Sequence, residues 1–272
     1  GVFLGGTQGL AAKFQPFGIE ENSVYSIFDT ETFPIEITIV NKGEYDFKAG
    51  DITVSLLGPS TSEFNGIASW ELKNKGTIEK INDLSPNGGE ESISFATDAK
   101  YLPPVTGAIE RNWFANLDYN YQTYVIVPEV CLKEDLKDKR VCEVKSAKTF
   151  FVSGAPITIT KVEEDTAGEG IMALKFNVKN NNANSRVSKP GEEFNINTDR
   201  FSFSIDDNNW ECKSTGKVGE GRFDEKKEAD ILCKLKQPLA KSTISTKQVK
   251  LTLNYKYREI IQNKLLIKQS VK

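Results

Sequence analysis

At 272 residues the chain is long enough for two ordinary domains, and 16 Phe, 8 Tyr and 3 Trp exclude a disordered one. It has no histidine, which removes the commonest general base, every Ser-His or Cys-His nucleophile pair and the usual transition-metal ligand. The net charge of −3 conceals a split: residues 1–152 carry 14 basic and 22 acidic side chains, residues 153–272 carry 21 and 16. No enzyme activity, metal or cofactor is expected, and no segment approaches the roughly 20 apolar residues needed to span a bilayer.

The chain opens on Gly1-Val2-Phe3-Leu4-Gly5-Gly6, which reads either as an arbitrary cut or as a mature end left after a signal or anchor is removed. Val2, Phe3, Leu4, Leu10 and Phe14 are too apolar for a free exported tail. This extension, residues 1–15, could pack on its own domain, add a strand to a neighbouring subunit's sheet, or be the stump of a membrane anchor.

Period-two alternation then predicts strands. Ile35, Ile37 and Ile39 point one way, and Glu36 and Thr38 the other; Ile52, Val54 and Leu56, then Ile93 and Phe95, repeat the pattern. Ala115, Leu117, Tyr119 and Tyr121 alternate with polar residues. Cys131 and Cys142 flank a charged stretch at 132–141 that reads as a hairpin tip, with no aromatic interleaving for nucleic acid. A boundary is expected at Ser153-Gly154-Ala155-Pro156.

Beyond it a strand alternates through Leu174, Phe176 and Val178. The late strand runs Val249, Leu251, Leu253, Tyr255, Tyr257. Leu253-Asn254-Tyr255-Lys256-Tyr257 matches Leu117-Asp118-Tyr119-Asn120-Tyr121, and Asn180-Asn181-Asn182 matches Asn41-Lys42-Gly43, which suggests a duplicated domain. The pairs Cys131/Cys142 and Cys212/Cys233 read as two local disulfides and hence as export. The expected fold is all-β: two tandem immunoglobulin-like antiparallel β-sandwich domains, 16–153 and 154–272, behind an apolar N-terminal extension.

The turn at Asn41-Lys42-Gly43 between the strands at 35–57 resembles CARDB-type immunoglobulin-like adhesion modules of prokaryotic surface proteins. Gly5-Gly6-Thr7-Gln8-Gly9-Leu10, Asn41-Lys42-Gly43-Glu44-Tyr45-Asp46, the Tyr119/Tyr121 strand leading into Cys131 and Cys142, and Gly154-Ala155-Pro156 together resemble exported two-domain proteins of small-genome archaea. The resemblance implies an extracellular or cell-envelope location and no established activity.

The acidic runs Glu163-Glu164-Asp165 and Asp206-Asp207 read as solvated loops, with weak calcium binding as the alternative. Residues 241–272 hold eight basic side chains against Glu259 alone, with Lys250, Lys256, Arg258, Lys264 and Lys268 as a candidate basic face. That face could guard edge strands, meet the acidic domain of the next copy, or face an anionic surface. The expectation is a non-catalytic structural or adhesive subunit of a cell-surface filament or envelope layer, polymerising with copies of itself through Val2, Phe3, Leu4, Leu10 and Phe14. The other expectation is a monomeric, membrane-tethered module that binds a surface glycan or another envelope protein, with its tail packed in cis.

Overall fold

The computed structural model describes residues 2–271; Gly1 and Lys272, the outer limits of the expected extension and second domain, lie outside them. Among the described residues every regular element is a strand apart from a 3-10 turn at Thr61–Glu63, with turns and loops between them. The strands of the first half are β1 (Leu10–Phe14), β2 (Ile19–Glu21), β3 (Val24–Phe28), β4 (Phe33–Asn41), β5 (Ile52–Leu57), β6 (Phe64–Asn65), β7 (Glu71–Lys73), β8 (Glu90–Tyr101) and β9 (Ala108–Lys133). Then follow β10 (Ser146–Ala147), β11 (Phe151–Val152), β12 (Ile157–Gly168), β13 (Ile171–Asn180), β14 (Ser185–Ser188), β15 (Arg200–Ile205), β16 (Trp210–Ser214), β17 (Lys217–Val218), β18 (Glu220–Arg222), β19 (Glu228–Leu235) and β20 (Ile244–Lys268).

The chain forms two compact units. Unit A holds residues 10–42, 46–119 and 258–271; unit B holds 2–9, 43–45 and 120–257. The boundary expected at 153/154 is therefore not where the units part. Besides the crossings at 9/10, 42/43 and 45/46, the chain passes from one to the other within the first Tyr-x-Tyr motif, after Tyr119, and at the end of the second, after Tyr257. The physical reason lies in β9 and β20, which run unbroken for 26 and 25 residues, several times an ordinary strand. In β9 the inward row Trp113, Ala115, Leu117, Tyr119, Tyr121, Thr123, Val125 and Val127 is sealed from solvent, with no Gly, Pro or turn signal between Trp113 and Val127 to interrupt it.

In unit A one antiparallel sheet runs β1-β4-β8-β6. Leu10 pairs with Asn41 and Phe14 with Ile37, while Ile35, Ile37 and Ile39 are wholly buried, as the alternation predicts. In the other layer β5 lies between β7 and residues 114–119 of β9. The end of β20 pairs with β3 in parallel, Leu265 with Tyr25 through Lys268 with Phe28. Between the layers, Trp113 meets Phe17, Phe33, Phe64 and Trp70 at ring separations of 4.9–6.3 Å. Each Phe ring buried there contributes about 1.5–3 kcal/mol of transfer free energy.

In unit B the sheet β10-β12-β13-β19-β16-β17 is antiparallel throughout. β15 pairs with β18 and with β20 in a second layer, and β11 pairs with β9. Both disulfides are in this unit. Cys212 and Cys233 stand opposite each other on β16 and β19. Cys131, near the end of β9, is joined to Cys142 in the following loop.

Candidate functional site

The sequence leaves open where the first fourteen residues lie, and the structure puts them on their own chain. β1 fills the edge of the β4 sheet, with Leu10 and Phe14 only 2% and 7% exposed. These two are therefore core residues and not an assembly surface, which corrects the expectation for them. The reason is the alternation Leu10-x-x-x-Phe14, which places both on the apolar side of β4. Of the other three expected assembly residues, Val2 and Leu4 are about half exposed and Phe3 is partly covered.

Residues 2–9 are held by one carboxylate. Glu44 Oε1 accepts the Leu4 N–H at 2.9 Å, and Oε2 accepts those of Gly5 at 3.0 Å and Gly154 at 2.6 Å. The Glu44 N–H in turn donates to the Gly154 carbonyl at 2.8 Å, and the Ala155 N–H to the Gly6 carbonyl at 3.4 Å. Three motifs far apart in sequence thus converge: Gly5-Gly6, Gly43-Glu44 and Gly154-Ala155. The approach leaves no room for a side chain at Gly43, where a Cβ would stand 2.1 Å from the Tyr121 hydroxyl and 2.6 Å from the carbonyls of Gln8 and Gly154.

The Tyr-x-Tyr residues supply buried hydroxyls. In unit B, Tyr121 accepts the Tyr45 N–H at 3.3 Å, Tyr255 bonds Thr123 at 2.8 Å, and Tyr257 donates to Asn180 at 2.6 Å. Burial holds the Tyr255 hydroxyl well above its ordinary pKa, with the Thr123 bond opposing. In unit A, Tyr119 donates to Glu259 at 3.1 Å and accepts the Leu10 N–H at 3.4 Å. Burial pushes the Glu259 carboxyl up to about 7 against that Tyr119 hydrogen bond.

Three of the five residues of the expected basic face are paired with carboxylates. Arg258 forks onto Asp118 at 2.6 and 2.7 Å, Lys264 pairs with Glu110 at 3.3 Å, and Lys268 with Glu21 at 3.0 Å. Lys250 and Lys256 lie over the rings of Tyr124 and Phe194 at 4.4 and 4.6 Å. Counting charges along one strand missed these partners because they sit on other strands or, for Phe194, in a loop.

Of the two acidic runs only the first departs from the expectation; Asp206 and Asp207 lie in the loop between β15 and β16. Residues 163–165 belong to β12, and Glu164 is 1% exposed. Its Oε2 accepts the Cys131 N–H at 3.0 Å and Lys148 at 2.6 Å, while burial raises its carboxyl above the usual range against both contacts. Asp206 accepts the Lys250 N–H at 2.9 Å, and Asp207 pairs with Lys247 at 2.7 Å. Lys133, expected on a hairpin tip, is 3% exposed and donates to the carbonyls of Asp138 and Cys142. Among the described residues no group of three or more acidic or cysteine side chains is arranged to hold a metal. Nor is any helix long and apolar enough to cross a membrane.

No family model matches the chain, and no curated protein matches it. Solved structures with some likeness include envelope protein VP37 from White Spot Syndrome Virus, at 13% identity and a TM-score of 0.22 over 52% of this chain and 98% of that one. The secreted serine protease VesC from Vibrio cholerae follows at 8% identity and 0.23 over 94% of this chain and 51% of that one. A triple jelly roll protein of the turret of an archaeal virus shows 9% identity and 0.13 over 95% and 91%. At these scores the likenesses carry no argument.

Proposed function

We propose that this chain is an exported, non-catalytic binding module of a cell envelope that works as a monomer, with each unit an immunoglobulin-like sandwich. The observation that carries the reading is the seating of residues 2–14 in cis, with β1 in its own sheet and residues 2–9 bound through Glu44. A subunit that polymerised by strand donation would keep that edge open for a neighbour. The two disulfides support export, because such bonds persist in oxidising compartments. The sheet order β1-β4-β8-β6 in unit A, with β5 and β9 in the facing layer, supports the immunoglobulin-like reading. The resemblance to exported archaeal surface proteins belongs to the same proposal.

A head-to-tail filament is the second reading, favoured by Val2 and Leu4, whose exposed side chains are open to a neighbour. Light scattering on the purified chain over a range of concentration and salt separates the two, beside a non-reducing peptide map. Monomers with all four cysteines oxidised are expected. Assembly at low salt that V2S and L4S abolish would overturn the monomer in favour of the filament, and free thiols would remove the argument for export.

A further inference from the structure

We propose that the outer face of β18, β15 and β20 in unit B binds an acidic polysaccharide through a row of cations: Arg222, Arg200 and Lys256. The inference deepens the binding-module reading and rests on it. It starts from an arrangement that costs stability: Arg200 and Arg222 are directly opposed on antiparallel strands. Opposed residues bring their Cβ atoms within about 5 Å, and like charges so placed are destabilising.

The carboxylate available to relieve this pair is already shared. Glu220 stands 3.5 Å from Arg200, but also 3.1 Å from Lys189 and 3.7 Å from Lys217. These cations hold its carboxyl below the usual range, the Lys189 hydrogen bond most of all. Lys189 draws on one further acid, Glu192, at 3.2 Å. Arg222 is exposed, and among the described residues its guanidinium has no ion pair or hydrogen bond.

The row continues onto β20. Ser202 pairs with Asn254, so the next outward positions on the two strands are Arg200 and Lys256. The Lys256 ammonium is steadied over the Phe194 ring at 4.6 Å. Neighbouring strands are about 4.8 Å apart, so three cations make a stripe roughly 10 Å long. The arginine forks match planar carboxylate and sulfate groups, which accept two parallel N–H bonds. A small anion would relieve one opposed pair, whereas a chain of charged sugars would occupy the stripe.

Calorimetry on the full chain with dextran sulfate and polygalacturonate, with neutral dextran as blank, tests the proposal. Each of R222S and R200S is expected to weaken binding by about tenfold or more. K213A, on the outer face of the other sheet, is expected to stay within about twofold, as a non-participating exposed charge should. Arg200 can be removed without stranding Glu220, which keeps Lys189 and Lys217. In anion-free buffer R222S should melt slightly above the wild type, because the opposed charges are gone, and it should lose the rise in Tm that dextran sulfate gives the parent. Absence of binding, an equal loss in K213A, or equal affinity for a DNA oligonucleotide of matched charge would overturn the proposal. Any of these in a chain that is monomeric and oxidised leaves the binding-module reading intact; assembly or free thiols would sink that reading independently.

Discussion

Replacing Glu44 with Ala removes the acceptor for three backbone N–H groups: Leu4, Gly5 and Gly154. Hydrogen bonds to a charged group contribute about 1.5–3 kcal/mol each when buried. The Leu4 bond is exposed and the other two are part-buried, so the lower end applies and the Leu4 bond adds little. The expected loss is about 2–4 kcal/mol, concentrated on residues 2–9 and the turn at Gly154. Glu44→Gln, which keeps one carbonyl acceptor, should lose about half as much. Residue-resolved amide exchange is the suitable assay, since it reports local opening where a global unfolding curve averages two units. Protection at Gly5 and Gly154 should fall by roughly 30-fold or more in E44A, and protection in β13 and β19 should change little. If Gly5 and Gly154 exchange as slowly in E44A as in the parent, the carboxylate does not hold the N-terminal segment.

Glu259 gives a prediction in pH. Its carboxyl is raised by burial to about 7 in the folded chain, from an ordinary value of 4.5. Between these values the folded state binds more proton at Glu259 than the unfolded one, so the stability this group contributes is fully present below about pH 4.5 and is lost as pH rises to about 7. The amount is about 3 kcal/mol; urea unfolding of E259Q should lack this slope, and parallel curves for E259Q and parent would refute the assignment. At Glu164, Lys148→Met leaves a sealed carboxylate without its counter-ion and should cost about 3–5 kcal/mol. Combining K148M with Glu164→Leu should recover much of that in thermal melts, and a strictly additive double variant would show that the two do not act as a pair.

The strands were legible because alternation is a local property. The rows Ile35-Ile37-Ile39 and Val249 through Tyr257 are inward in the structure as in the sequence. The close Cys pairs were legible from spacing. The true extent of β9 and β20 was not, since a continuing alternation does not say that its two ends belong to different cores. Glu164 was missed for a more specific reason. A register shift between Ile159 and Lys161 changes which positions face inward, so Val162 and Glu164 take the buried phase that Ile157 and Ile159 held before it. The carboxylate partners of Arg258 and Lys268 lie 140 and 247 residues away in the chain. No window short enough to read as a pattern contains them.

The two long strands also set the timing of folding. Unit A takes its last strand from residues 258–268, although nearly all its remaining strands are complete by Tyr119. At about 5–20 residues per second of synthesis, that final segment arrives some 7–30 s after the rest of the unit. Until then the unit has an open edge and an unfinished core, and the nascent chain is held back from a compact state. If the chain is exported as proposed, deferred closure would keep unit A threadable until residues 258–268 have been made.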